Sequence, residues 1–575
     1  MSEGRAGAGG DAAWIAAWTA AGLVLRAMLI GFTNRITGDG VGWYIPMARA
    51  FVEGRPDKGF DAYIPPVYSL STAAVAKLLP AAAWAGPAGD AGALELAGQI
   101  TSALYGAATI PLAVLLVRRL APSALARPAA RIAAPLAAIT PWLARYGARV
   151  MTESAYTFFF AIAILAGLVL LARRSAIAAA AFGLAVGVGC LNRPEAMGLL
   201  AVFGGWIGLP ALWQRRGVAR ALGLGGVVAI FFLAGTFPQM AITHAKLGVW
   251  TLSAKGGVNF LSAHTKDPLV RERVLHPLPK PRGGAAKEGH KQKESKVMPF
   301  SLAGYLLRHP GGFARDFVST LADLAVHVPV VIGIALSAFG LAGIFLRRGV
   351  PWTEGERVAA SVPLTYLLAF SLFRAETRFL VPLVPVCLLW PSLGVLEVSR
   401  QIREGRLRRI ASALPEGARR RPEAWVLAAA LILTLPEALD PVRQGGFRWY
   451  WSPEKEVGVW MRRHLPPEPK IMTRGSYIET YYAGARVAYF PFGPYDEVKR
   501  YVRRTEVGYI LIDEKTRRLR PGFTERLAAD REARLLRKFD LGKDTEYLYE
   551  VLPAEIQRRH GDETSTPDPS RAATA

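Results

Sequence analysis

Apolar and polar positions along this chain alternate on a long wavelength. Windows long enough to cross about 30 Å of hydrocarbon fall at residues 13–33, 95–117, 129–145, 153–172, 176–190, 196–213, 221–243, 323–346, 358–373, 379–397 and 424–439. This pattern predicts a polytopic α-helical membrane protein of about eleven transmembrane helices over residues 13–440, several of them short, after a cytoplasmic N-terminus of residues 1–12. No small-residue cleavage pattern follows Ile30, so the first window reads as a retained anchor and not a removed signal peptide. Two longer polar stretches interrupt the apolar windows, at 34–94 and 244–322. In the first, Val41, Tyr44, Ile45, Ala48, Phe51 and Val52 recur at helical spacing and predict an amphipathic helix on the membrane surface. Pro65-Pro66-Val67-Tyr68 then opens a second apolar helix reaching about Leu79, too short for a secure span.

After residue 440 the rhythm changes. Lys470 to Thr473, Arg486 to Phe490 and Gly508 to Ile512 read as strands, and Pro453 to His464, Tyr477 to Tyr482 and Asp496 to Arg504 as helices, with turn residues between them. The alternation predicts a small C-terminal α/β domain over 441–555. The tail 556–575, rich in Asp, Thr, Pro and Ser, has the composition of a disordered segment.

Charge refines the topology. The net charge of +25 would ordinarily raise the question of nucleic acid. Here, however, the arginines gather in short loops between apolar windows: Arg118-Arg119 to Arg131, Arg173-Arg174, Arg215-Arg216 to Arg220, Arg347-Arg348 to Arg357 and Arg400 to Arg421. With the N-terminus inside, every one of these loops is cytoplasmic, as the positive-inside rule requires. The charge is therefore a topology signal, the partners are membrane lipids, and nucleic acid is excluded. The lysine-rich stretch Lys280 to Lys296 falls outside, in a loop too long for the rule to govern. An odd number of spans places the C-terminal domain extracytoplasmically, and the Ala, Gly and Arg bias of a GC-rich bacterial genome points to a multi-pass protein of the inner (cytoplasmic) membrane. Cys190 and Cys387 lie far apart in apolar segments with no ligand spacing.

The predicted outer face collects a distinctive set. Asp39 lies in a Gly38-Asp39-Gly40 turn just beyond the first window, and the turn from Arg145 to Glu153, Asn192-Arg193-Pro194-Glu195 and Phe373-Arg374-Ala375-Glu376-Thr377-Arg378 emerge beside it. Charges at span ends are costly unless paired or functional. Structural alternatives stand beside each: Asp39 as a solvated turn residue, Glu153 as a first-turn helix acid, Arg193 and Glu195 as an ion pair, Arg374 and Arg378 as a pair one turn apart. His244 and His264 have no partner at ligand spacing, and Ile512-Asp513-Glu514 reads as a strand-terminal acid rather than a metal and nucleotide site. No glycine loop follows a strand to cradle a nucleotide.

The order of these stations resembles a known family. Asp39, a following Tyr44, Ala48-Arg49-Ala50-Phe51-Val52-Glu53-Gly54, Pro65-Pro66-Val67-Tyr68, Arg149-Val150-Met151-Thr152-Glu153, Asn192 to Glu195 and Arg374 to Pro385 together look like the C-type integral-membrane glycosyltransferases. The pattern is most similar to the group of protein O-mannosyltransferases (glycosyltransferase family 39) and the lipid A aminoarabinose transferase. The resemblance covers roughly residues 10–400. It implies transfer of a hexose or pentose from a polyprenyl-phosphate donor to a lipid, glycan or protein acceptor of the cell envelope, with inversion at the anomeric carbon. Asp39 would act as general base or orient the acceptor, with Glu153 as the second carboxylate. Arg149, Arg193, Arg374 and Arg378 are candidates for the donor phosphate, because guanidinium matches phosphate oxygens, and Tyr44, Tyr68 and Glu195 for the substrate loops. No cofactor is expected beyond the lipid-linked donor, and a divalent metal stays open.

Two departures stand out. Gly40 occupies the place of a frequent second first-loop acid, and Tyr63-Ile64-Pro65-Pro66 replaces the Glu-Lys-Pro-Pro of the aminoarabinose type, removing a lysine that would meet the donor phosphate. The alternative reading is a transporter or flippase of polyprenyl-linked glycans, which should carry internal hydropathy repeats and charges near span centres. A non-enzymatic scaffold would leave the outer charges unexplained.

Overall fold

The computed structural model describes residues 2–32, 36–86, 88–254, 307–347, 351–372, 376–407, 421–440, 453–475, 477–530, 532–542 and 545–552. Arg374, His264, the stretch Lys280 to Lys296 and the tail 556–575 lie outside the described residues. The chain divides into two compact units, one up to residue 450 and one after it that also takes in residues 85–92.

The first unit is helical. Each apolar window falls on helix, yet five helices among the described residues have the length and apolarity to cross a membrane: Gly10–Phe32, Gly89–Leu120, Glu153–Arg173, Pro194–Trp213 and Val218–Leu247. Two bent pairs bring the number to as many as seven. The sequence reading of about eleven spans, several of them short, meets shorter and broken helices at some of its windows. The window 323–346 is two helices, Pro310–Ile332 and Ile334–Phe345, meeting at 104°. Gly333 makes the break, with a φ of +104° that other residues rarely adopt. The window 129–145 breaks at Thr140, just before Pro141 opens a separate six-residue helix. The 15-residue helix Ala176–Cys190, started by the Ser175 hydroxyl accepting from the Ala178 amide, reaches only about 22 Å at 1.5 Å per residue.

Small residues set the closest helix contacts. On Ala176–Cys190, Gly187 faces the backbone of Val218–Leu247, and a Cβ there would lie 2.8 Å from the Phe232 carbonyl oxygen. Backbone approach of this kind is how membrane helices gain packing where lipid offers no hydrophobic drive. The far side of Val218–Leu247 leaves Leu222, Ile230, Leu233 and Phe237 exposed, the apolar surface of a lipid-facing helix.

One residue breaks the apolar pattern inside the first helix, Ser2–Phe32. Arg26 is wholly buried, and its Nη1 donates to Gly22 O at 2.9 Å and to Ala138 O at 3.4 Å, while Nε and Nη2 have no partner. Gly106 and Gly147 make room for it, since a Cβ at either would lie 2.6 Å from Arg26 Nε.

The second unit is a mixed sheet covered by helices. Its strand order is β2-β1-β3-β5-β4, where β1 is Lys470–Thr473, β2 Arg486–Tyr489, β3 Tyr509–Ile512, β4 Ala533–Asp540 and β5 Thr545–Val551. β1 pairs in parallel with β2 and β3, and β5 pairs antiparallel with β3 and β4. Period-two alternation splits the core. Met472, Ile510, Ile512 and Tyr549 pack with Val498, Val502 and Phe523 on one face, while Ile471, Leu511 and Leu548 pack with Val457 and Met461 on the other. The first three strands match the segments read from the sequence within a residue. β4 and β5 were not anticipated, because Ala533–Asp540 leaves most of its residues exposed on both faces and so shows no apolar alternation. Asp513 caps the helix Glu514–Leu519, accepting from the Thr516 amide at 2.7 Å, which accounts for the acid at the strand end.

Candidate functional site

Asp39 does not sit in a glycine turn. Its backbone is right-handed helical (φ −68°, ψ −36°), and it heads a single π-helical turn, Gly40–Tyr44, that runs into the helix Ile45–Val52. Thr37 fixes this entry: its hydroxyl donates to Val150 O at 2.9 Å and accepts from the Gly40 amide at 3.0 Å. Gly40 is pressed against the same contact. A Cβ on it would lie 3.0 Å from Ile36, 3.1 Å from Thr37 Oγ1 and 3.2 Å from Val150. A side chain at position 40 would therefore need these three side chains to give by a few tenths of an ångström.

From Asp39 a chain of charges runs inward. Arg378, at the start of the 3-10 turn Thr377–Leu383, places Nη1 2.7 Å from Asp39 Oδ2 and Nε 2.7 Å from Glu376 Oε2. Its Nε also lies 3.7 Å from Glu153 Oε1. The same Glu153 oxygen receives Arg193 Nη1 at 3.0 Å, and Arg193 Nη2 reaches Glu195 Oε1 at 3.2 Å. Glu153 is fully buried at the first turn of its helix, whereas Asp39 keeps a third of its side chain exposed. The chain is therefore open at Asp39, closed at Glu153 in its middle, and partly open again at Glu195, whose side chain is 30% exposed. Four carboxylates face two guanidiniums along it.

Aromatic rings flank the Arg193 part of the chain. The Arg193 guanidinium lies 4.8 Å from the Phe379 ring centre and 5.7 Å from that of Tyr156. Tyr366 donates from its hydroxyl to Glu195 O at 2.8 Å and so holds the Pro194–Met197 turn. Tyr44 meets Thr152 Oγ1 at 3.3 Å and packs edge-on against Tyr68 at 5.3 Å between ring centres. Burial, together with the Asp39 and Glu153 charges, pushes the Tyr44 phenol far above its ordinary range, so it acts as a neutral hydroxyl. Tyr68 is wholly buried; its hydroxyl donates to Gly98 O at 2.9 Å and pairs with Ser102 Oγ at 2.9 Å, a structural tie to the neighbouring helix.

Of the residues singled out from sequence, Asp39, Glu153, Arg193, Glu195 and Arg378 thus meet in one ion-pair chain, with Tyr44 at its flank. Arg149 lies half-buried in the turn before Glu153, and its charge, like those of Arg145 and Arg378, acts on the Tyr146 hydroxyl. Glu376, Phe379, Tyr156, Tyr366 and Thr37 were not singled out. Thr37 alone had a readable signal, as a hydroxyl three residues before Gly40. No group of three or more His, Cys, Asp or Glu that could hold a metal ion occurs among the described residues. His244 instead stacks on Trp250 with ring centres 4.4 Å apart, and Cys190 and Cys387 are buried free thiols.

No family model matches the sequence, and no curated protein matches it. Solved structures do. The crystal structure of ArnT from Cupriavidus metallidurans bound to undecaprenyl phosphate superposes with a TM-score of 0.54 at 13% identity, covering 93% of this chain and 98% of that one. The apo form of the same protein gives 0.54's near equal, 0.53, at 14% identity over the same shares. At such identities the likeness is one of fold, and the chain has the fold of ArnT, that of the C-type glycosyltransferases.

Proposed function

We propose that this protein is a membrane glycosyltransferase that moves a sugar from a polyprenyl-phosphate donor to a lipid, glycan or protein acceptor on the extracytoplasmic side of the cytoplasmic membrane. The observation that carries the reading is the Asp39–Arg378 pair at the open end of a buried charge chain, on a fold shared with a protein solved with undecaprenyl phosphate bound. A partly exposed carboxylate is placed to serve an acceptor from solution, and a guanidinium beside it to serve a phosphate leaving group.

The acceptor oxygen attacks the anomeric carbon while its proton passes to the Asp39 carboxylate. The bond from that carbon to the phosphate oxygen breaks, the electron pair stays with the phosphate, and polyprenyl phosphate leaves with inversion at the sugar. Arg378 neutralises the charge that grows on the phosphate, with Arg149 and Arg374 as further candidate cations. Glu153 holds Arg193 and Arg378 in register rather than moving a proton, since its buried oxygen already serves both.

The test uses the full chain in lipid nanodiscs with radiolabelled undecaprenyl-phosphate sugars and a bacterial envelope extract as acceptor. Wild type releases undecaprenyl phosphate and labels an acceptor, and Asp39→Asn, inserted and folded, does not. Full turnover by that variant overturns the base assignment, and absence of turnover or donor binding by wild type overturns the whole reading.

A further inference from the structure

Buried polar atoms without partners occur on both carboxylates that hold Arg193 and on the residue before it in the chain. Asn192 is 2% exposed, and neither Nδ2 nor Oδ1 has a hydrogen-bond partner. Glu153 Oε2 and Glu195 Oε2 are likewise buried and unpartnered, although the other oxygen of each is held by Arg193. Nearly all buried polar atoms in folded proteins are satisfied, and each orphan carries a substantial desolvation penalty. Two of these residues hold the Arg193 guanidinium and the third is its neighbour in the chain, and together they mark a place built for something that is polar when bound.

Their chemistry says what kind. The set offers three acceptor oxygens and a single donor group, the amide nitrogen. A phosphate, which only accepts, would leave all three oxygens unsatisfied and add negative charge beside two carboxylates. Hydroxyl groups fit, because each can donate to a carboxylate or to Oδ1 while accepting from Nδ2. The site also sits beside the rings of Phe379 and Tyr156, which flank Arg193. On the other side of Asn192, the Leu191 carbonyl accepts from the Val67 amide at 3.3 Å, joining this turn to the head of the Val67–Leu78 helix.

We propose that Asn192, with the free oxygens of Glu153 and Glu195, is the subsite that takes hydroxyl groups of the transferred sugar and so sets which sugar is accepted. This rests on the glycosyltransferase reading above and separates the two halves of the donor: the phosphate with Arg378 beside Asp39, the sugar with Asn192 beside Arg193. An amide that pairs with one hydroxyl discriminates strongly against an analogue lacking it, because its own buried atoms are then left unpaired.

The experiment measures equilibrium binding to the full chain in nanodiscs of undecaprenyl phosphate and of the same lipid phosphate carrying mannose, glucose, galactose or arabinose, with single-deoxy analogues of the best binder. Wild type binds the best sugar lipid more tightly than the bare lipid phosphate, and removal of one hydroxyl weakens it by about 10-fold or more. In Asn192→Leu the bare lipid phosphate binds as before, while the gain from the sugar and the deoxy penalty both fall to about onefold. A sugar gain and deoxy penalty that persist in Asn192→Leu overturn the assignment, with the transferase reading intact; the amide then holds only buried water. If Asn192→Leu does not fold, the deoxy series on wild type decides alone: no penalty at any position overturns the proposal. Failure of wild type to bind any lipid phosphate removes the transferase reading, and this one with it.

Discussion

If Arg378 serves the donor phosphate, Asp39 competes with that phosphate for the same guanidinium. Removing the Asp39 charge should therefore tighten binding of undecaprenyl phosphate even as it stops transfer. The perturbation is Asp39→Asn, which keeps the shape of the side chain and takes away one of the three carboxylates around Arg378. Two unit charges about 4 Å apart at an effective dielectric near 20 interact by about 4 kcal/mol. The Asp39 side chain is 34% exposed and that of Arg378 23%, so solvent screening reduces the usable part to about 1–2 kcal/mol. Lost competition of that size corresponds to about 5- to 30-fold tighter binding.

The assay is titration of wild type and Asp39→Asn in nanodiscs with undecaprenyl phosphate at low salt and again at about 0.5 M salt. The gain should shrink at high salt, where the Debye length falls well below its value of about 10 Å at 0.1 M. Arg378→Ala should abolish the difference between the two Asp39 forms. Equal or weaker binding by Asp39→Asn refutes the competition, and a gain that survives Arg378→Ala shows that another cation takes the phosphate.

Further outcomes follow from other contacts. Glu153→Ala leaves Arg193 and Arg378 without their shared buried oxygen, and breaking such a pair should cost about 3–5 kcal/mol, read as a lower thermal midpoint of the detergent-solubilised chain. Gly106→Ala should destabilise wild type, because the added carbon meets Arg26, yet be harmless in an Arg26→Leu background; the double-mutant cycle measures the difference. In the second unit, burial raises the Asp530 carboxyl, but hydrogen bonds from Lys499 and Tyr495 outweigh it and hold the group below its usual range; Arg503 and Lys499 likewise hold Glu532 low against burial. Both folded values are depressed, so this stability is complete above the ordinary carboxylate range near pH 4 and is lost as pH falls through the folded values. Asp530→Asn should flatten the acid limb of the unfolding midpoint against pH.

The sequence exposed the carriers of charge more fully than their arrangement. Asp39, Glu153, Arg193, Glu195 and Arg378 could be picked out because charge at the end of an apolar helix is costly, a signal independent of three-dimensional contact. That Glu153 joins two arginines through one oxygen could not be picked out, since it depends on a 3-10 turn at Thr377–Leu383 and on the helix start at Glu153 converging across more than two hundred residues. The bends at Gly333 and Thr140 were hidden for a related reason: an apolar window reports that lipid or core surrounds a segment, and its hydropathy is the same whether the axis is straight or broken.

Gly40 shows how the structure changes the meaning of a residue already noticed. From sequence it was an absence, the place where a second acid is missing. In the fold it is a close approach, because a Cβ there would press on the side chains of Ile36, Thr37 and Val150. The contact couples the Asp39 end of the charge chain to the segment that leads into Glu153 in its buried middle. A side chain added at position 40 would press on Thr37 and Val150, whose hydrogen bond fixes the entry to the Asp39 turn. The carboxylate missing next to Asp39 is matched by Glu153, Glu195 and Glu376, which bring the further carboxylates of the charge chain from other segments.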